Sequence, residues 1–264
     1  MGVELDVGHP VLLPPRTGEV VGDDPDRRVE LLSTRDELHA TWTFFGPGRD
    51  GADPHVHREH SDLFYVLEGE LSVLVGDAWR TLPAGTLVHA PPLLVHGFRN
   101  GSEEAEVRYL NFHAPGGGFA AFMRGQAPGF DSEDPPADGG RPASDGVVAR
   151  AERGGERGST ILADAEEICV VEIWGTPGSS GPDPHLHPSH VESFYVLEGE
   201  LTFVVGHEEH HAGPGTWVQV PPGTRHTFSY AGSEPARFLS VHTPNGGFGD
   251  FVRGRKASFD QEPA

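Results

Sequence analysis

Two stretches of the chain, 130 residues apart, carry the same side chains in the same order. Asp53-Pro54-His55-Val56-His57 is followed by His60, Asp62 and Phe64-Tyr65-Val66-Leu67-Glu68-Gly69-Glu70-Leu71. Asp183-Pro184-His185-Leu186-His187 is followed by His190, Glu192 and Phe194-Tyr195-Val196-Leu197-Glu198-Gly199-Glu200-Leu201. The same offset joins Gly85 to Gly215, Pro91 to Pro221 and His96 to His226. A repeat of this length is two structural units, each large enough for its own apolar core. Val11 to Glu19 opens copy one and Val147 to Gly154 opens copy two. We expect a first domain at 1–131, a linker at 132–142 and a second domain at 143–264. The stretch from Asp131 to Pro142 is acidic and rich in Pro and Gly, with nothing to bury, so it reads as linker.

Within each copy the apolar residues alternate or form short runs. Leu71, Val73 and Val75 are spaced by two, as are Leu201, Phe203 and Val205, which is the period of a strand. Glu-Gly-Glu at 68–70 and 198–200 marks a turn between strands. Further strands are expected at 86–89, 96–100 and 107–112, and at 216–220, 226–230 and 237–241. With 36 Gly and 24 Pro as punctuation, this is an all-β chain of sandwiches or barrels. Only the tails at 118–123 and 247–252 read as short amphipathic helices.

A formal net charge of −21 repels phosphate backbones and anionic bilayers, so nucleic acid and membrane are excluded as partners. Met1 to Pro15 shows neither a basic nor a long apolar leader segment, and no stretch is long enough to span a bilayer; the expected setting is cytoplasmic. The single cysteine, Cys169, lies in an apolar run and reads as a small buried residue. It rules out an intrachain disulfide and a cysteine zinc site.

On a strand, residues i and i+2 face one side. His55 and His57 therefore point together, as do His185 and His187. Asp62 and Glu192 begin the next strand, and His96 and His226 can close the set from another wall. Three imidazoles and one carboxylate suit a divalent transition metal, Fe, Mn, Ni, Co, Cu or Zn, one per copy, rather than an all-oxygen ion such as calcium. The candidate ligands are thus His55, His57, Asp62 and His96, and His185, His187, Glu192 and His226.

These spacings resemble the two cupin motifs: His-x-His, four residues, an acid, six residues, Gly; then Gly, five residues, Pro-x-Gly, two residues, His, three residues, Asn. Copy two supplies His185, His187, Glu192, Gly199, Gly215, Pro221, Gly223 and His226. Copy one supplies His55, His57, Asp62, Gly69, Gly85, Pro91, His96 and Asn100. The resemblance covers nearly all of both repeats and implies a bicupin, two tandem jelly-roll β-barrels each with a metal inside. The Phe-Tyr-Val-Leu-Glu-Gly-Glu-Leu phrase and the Pro-Gly-Gly-Gly-Phe and Pro-Asn-Gly-Gly-Phe tails resemble the quercetin 2,3-dioxygenase-like members in particular. Three positions depart from the pattern: Asp62 for Glu, Leu93 for Gly, and Tyr230 for Asn. Copy two is by this measure the better-preserved metal site.

The resemblance implies a metal-dependent dioxygenase that takes a flavonol-like or other enolic or phenolic small molecule and O2. The acid beside the metal, Glu192 or Asp62, would take the proton of the enolic hydroxyl. The alternative is a non-oxidative cupin: a binding or sensing module, an isomerase or a decarboxylase, since fold does not fix reaction. A homodimer is compatible with either. His60 and His190 fall off the His-x-His parity and read as loop or supporting residues, while His113 and His242 sit where they could line a pocket. Phe194, Phe203, Trp217 and Phe228 read as barrel core, and His207, His210 and His211 as a solvated hairpin tip. His89 has no histidine counterpart, and His9 and His39 carry no signal.

Overall fold

The structure, a computed structural model, describes residues 8–264; the opening residues of the Met1 to Pro15 stretch read above lie outside that range. The chain is all-β, its only α-helices among the described residues being Phe119–Met123 and Phe248–Val252. It divides into two compact units, Gly18–Arg150 and Ala151–Ala264, the second completed by the segment ending at Thr17. Each unit is a jelly-roll barrel of two antiparallel sheets.

In the first unit a seven-stranded sheet runs in the order Val147–Arg150, Thr86–Ala90, Ser61–Glu68, Val107–Ala114, Leu38–Phe45, Arg27–Arg35, Glu19–Asp24. Its companion holds Ala78–Pro83, Glu70–Val75 and His96–Arg99. In the second unit the larger sheet runs Val11–Leu13, Trp217–Val220, Val191–Glu198, Ala236–Thr243, Cys169–Gly175, Gly158–Asp164. The smaller one holds Glu208–Ala212, Glu200–Val205, His226–Ala231, His185–Leu186 and Glu262–Pro263.

The alternation read from sequence is the one that fills the barrels. Leu71, Val73 and Val75 join Phe64, Val66, Val88 and Tyr109 in one core, and Leu201, Phe203 and Val205 join Phe194, Val218 and Phe238 in the other. Phe194, Phe203 and Trp217 are buried, and Phe228 packs against Phe194 and Phe203. Cys169 is buried, and burial pushes its thiol up to about 12, so it is inert packing.

The edge strands are not where the sequence reading put them. Val11–Leu13, expected to open copy one, pairs antiparallel with Trp217–Val220 of the second unit. Val147–Arg150, expected to open copy two, pairs with Thr86–Ala90 of the first. In each barrel the strand after Gly85 or Gly215 has one edge that must be covered, because unpaired backbone donors and acceptors are costly. Backbone pairing carries almost no side-chain information, so a short apolar strand can serve either barrel and its sequence does not say which.

Candidate metal centres

The two histidine-carboxylate clusters are assembled by the same backbone device. His55 and His96 form an isolated antiparallel bridge, exchanging hydrogen bonds of 2.8 and 3.0 Å. His185 pairs with His226 in the same register. The ring of each first histidine is thereby set beside that of the third, with centroids 4.3 Å apart in both barrels. The extended segment is shorter than expected, spanning only His185–Leu186 in the second barrel. His57 and His187 leave it, and their carbonyls accept the amides of Leu93 at 2.7 Å and Gly223 at 2.8 Å. Both donors sit at positive φ, 67° and 75°. Leu93 thus holds the backbone conformation that the motif's glycine would, at a cost of about 1–2 kcal/mol for a side chain in that region.

All eight predicted ligands come together. The donor atoms of His55, His57, Asp62 and His96 lie within 4.8 Å of one another, as do those of His185, His187, Glu192 and His226. The Nδ1–H of each ring donates to a carbonyl, which can only accept: His55 to Asp53 at 2.7 Å, His96 to Leu94 at 2.8 Å, His57 to Asp131. In the second barrel His185 donates to Asp183 at 2.9 Å, His187 to Asp260 at 2.7 Å and His226 to Thr224 at 2.9 Å. This commits each Nδ1–H outward and turns each Nε2 inward. The carboxylates face these Nε2 atoms. Glu192 Oε2 is 2.8 Å from His187 Nε2 and 2.9 Å from His226 Nε2. Asp62 Oδ2 is 3.6 and 3.3 Å from the matching atoms of His57 and His96. Neighbouring ligand atoms around such a metal lie roughly 3 Å apart, so the shorter Asp62 side chain reaches.

The remaining oxygen of each carboxylate is held from the Val107–Ala114 or Ala236–Thr243 strand. Asn111 Nδ2 donates to Asp62 Oδ1, and Ser240 Oγ to Glu192 Oε1 at 3.0 Å. Burial opposes ionisation of both acids, but His113 and the ligand rings outweigh it for Asp62, and His242 and the ligand rings for Glu192. Both carboxyls are held well below their ordinary values and are ionised at neutral pH. Burial, followed by His96, brings His55 down to about 4, leaving it neutral and free to ligate.

His57 Nε2 and His96 Nε2 are buried without a hydrogen-bond partner. Lone pairs left unmatched beside a carboxylate are a cost that a cation between them removes. The orphaned nitrogens of the first barrel, and the matching donor set of the second, fit a divalent transition metal.

His60 and His190 lie beside the two four-residue clusters, each stacked on His57 or His187 with ring centroids 4.0 Å apart. Asp131 Oδ2 lies 2.9 Å from His60 Nδ1, and His60 Nε2 lies 3.0 Å from His113 Nδ1. The second barrel repeats this through Asp260, His190 and His242 at 2.8 and 2.8 Å. Burial, with the neighbouring rings, takes His60 to about 4 and His190 to about 3.

Asp131 and Asp260 were not visible as site residues, and Asp131 opened the stretch read as linker. That stretch is fastened to the first barrel: Val56 and Glu133 exchange backbone bonds of 3.0 and 2.9 Å, and Arg141 donates to the Leu93 carbonyl at 2.8 Å. The missed signal is Phe130-Asp131 against Phe259-Asp260, out of step with the main repeat by one residue. Each aspartate bonds one ligand ring through its carbonyl and locks itself in place through its carboxylate. Asp260→Ala should therefore weaken metal binding in the second barrel by about 10–100-fold, read by competition against a chelator, with Asp260→Asn intermediate.

Two jelly rolls, each converging three histidines and a carboxylate on one point, define a class of double-barrelled metal-binding proteins. The family model for the cupin domain matches residues 41–113 and 176–242, more than half of the chain, and the chain belongs to the cupin superfamily as a bicupin. It is 24% identical over 226 residues to quercetin 2,3-dioxygenase of Bacillus subtilis strain 168, covering 69% of this chain and 66% of that protein. The match thus spans just under two thirds of the curated relative. Among solved structures it is similar to protein Ylba from E. coli, with TM-score 0.67 and 14% identity over 91% of this chain and 93% of that one. It is also similar to oxalate decarboxylase of Bacillus subtilis, with TM-score 0.62 and 15% identity over 96% and 87%. At these identities the structural likeness speaks for the fold alone. Among the described residues no helix is long and apolar enough to cross a membrane.

Proposed function

We propose that the chain is a metal-dependent dioxygenase acting on a flavonol-like or other enolic or phenolic small molecule. One observation carries this reading: six histidine Nε2 atoms and two ionised carboxylates aimed at two points, with the Nε2 atoms of His57 and His96 in the first barrel buried and unpartnered. The curated likeness to a quercetin dioxygenase supports the substrate class. A divalent transition metal held there would supply Lewis acidity and the redox capacity that dioxygen chemistry needs.

The protein's own groups do the rest. Glu192 Oε2, facing inward while Oε1 is tethered by Ser240, is placed to accept the proton of an enolic hydroxyl. Asp62 Oδ2 is placed in the same way in the first barrel, with Oδ1 tethered by Asn111. Phe119 and Phe130 cover His113 and His57, and Phe248 and Phe259 cover His242 and His187, keeping water from the rings.

The test is oxygen consumption by chain reconstituted separately with Fe, Mn, Ni, Co or Cu and given a flavonol, a catechol or an aliphatic enol. Substrate-dependent uptake with at least one metal is expected. No uptake with any combination, in protein shown to hold metal, would contradict the reading.

A further inference from the structure

The metal ligands are duplicated, but the surroundings of the two centres are not. A cavity of about 330 Å³ in the first barrel reaches His55, His57 and Asp62 and extends outward past Thr41, Thr43 and Tyr109 to Arg27, Arg49 and Asp50. That volume suits a small ligand of one or two rings. Strand register identifies the matching positions of the second barrel. Thr41 and Thr43 correspond to Val171 and Ile173, and Tyr109 to Phe238. At the outer end Arg49 and Asp50 correspond to Ser179 and Ser180; Asp50 bridges Arg99 where Ser180 bridges Ser229. The first barrel alone carries the polar wall and this arginine.

Arg49 lies on the cavity wall and is held at its tip. Nη1 donates to Asp26 Oδ1 at 3.1 Å and to Oδ2 at 3.2 Å. Its Nε–H is buried without a partner, on a residue that lines the cavity. An arginine on a cavity wall binds an anionic oxygen more strongly than a neutral acceptor. The charges agree. Outside the ligand set Arg27 and Arg49 balance Asp50 and the Asp26 bound to Arg49, and a divalent cation more than offsets Asp62, which leaves the cavity net positive. In a chain of net charge −21 this is a local positive focus.

We propose that the first barrel binds an enolic or phenolic substrate that carries a second, anionic group, the enolic end at the metal centre and the anion at Arg49. This rests on the reading above of a metal-held enol. The second barrel, with Val171, Ile173 and Ser179 at the matching places, binds such an anion no better than its neutral parent.

The test is calorimetric binding to zinc-loaded protein, which reads recognition without turnover. The probes are catechol and its carboxylated homologues, dihydroxybenzoate, dihydroxyphenylacetate and dihydroxyphenylpropionate, which differ in reach. At least one carboxylate should bind tenfold or more tighter than catechol, with one such site per chain. Arg49→Met should reduce that preference to under threefold while catechol affinity stays within twofold of the parent. Arg49→Lys, which keeps the charge, should retain part of it. No preference in the parent protein, or a preference that survives Arg49→Met, would overturn the proposal. Because zinc-loaded protein is used, these results stand apart from the presence or absence of oxygen uptake.

Discussion

A chain carrying both Asp62→Asn and Glu192→Gln is expected to keep metal in each barrel while substrate-dependent oxygen uptake falls by about 10²–10⁴-fold, the usual contribution of a general base. The substitutions preserve shape. In Glu192→Gln the new amide oxygen can still accept from Ser240 Oγ, which holds Glu192 Oε1 at 3.0 Å in the parent, and three histidines remain to bind the ion. The ability to take a proton is removed, together with the negative charge of one ligand. The carboxyls stay ionised because His113 or His242 and the ligand rings outweigh burial, so each side chain enters the reaction in its basic form. The single variants then assign the chemistry: the barrel that turns substrate over shows the loss and the other does not. Metal content is measured on the same samples. A double variant that retains metal and turns over at the parental rate would remove both acids from the mechanism.

Gly69→Val is expected to cost several kcal/mol and to lower the unfolding temperature of the first barrel by roughly 10–20 °C. Gly69 lies between the strands Ser61–Glu68 and Glu70–Val75, with φ of 74°. A side chain in that left-handed conformation is strained by about 1–2 kcal/mol before any contact is counted, more when β-branched. Contact then adds to it. A Cβ here would overlap the carbonyl oxygen of Glu106 and lie 3.2 Å from Val107 Cα, both backbone atoms that cannot swing aside. Relief requires the hairpin to move off the strand Val107–Ala114, which carries Asn111 and His113. Gly199, with φ of 69° against the carbonyl of Pro235, predicts the same loss in the second barrel. Melting followed by circular dichroism decides it; a shift under about 2 °C would mean the turn relaxes freely.

The convergence of the eight side chains was legible because it is fixed by local spacing. His-x-His parity, an acid at the start of the next strand and a histidine after a Pro turn survive translation into three dimensions almost unchanged. The supports were less legible because they act through backbone or across long separations. Asp131 and Asp260 hold His57 and His187 with carbonyl oxygens, which any residue possesses, and their carboxylates bond His60 and His190 across a separation that local spacing does not show. The exchange of Val11–Leu13 and Val147–Arg150 between barrels is likewise a matter of backbone pairing. Leu93 illustrates the opposite case. The sequence showed the missing glycine, and the structure keeps the positive φ with leucine in place because its amide is needed at the His57 carbonyl. The Tyr230 departure also has a structural partner: its ring lies against Gly175, where a Cβ would collide with it, while the matching position of the first barrel is Phe45 beside Asn100.

The central claim is that both barrels are metal centres, and it is tested most directly by metal content per chain. Inductively coupled plasma mass spectrometry on untagged protein, before and after reconstitution, should give about two equivalents of a divalent transition metal per chain, as two three-histidine, one-carboxylate sites require. A chain that takes up no metal after reconstitution would contradict the account and leave two jelly rolls whose inward-facing histidines have another purpose.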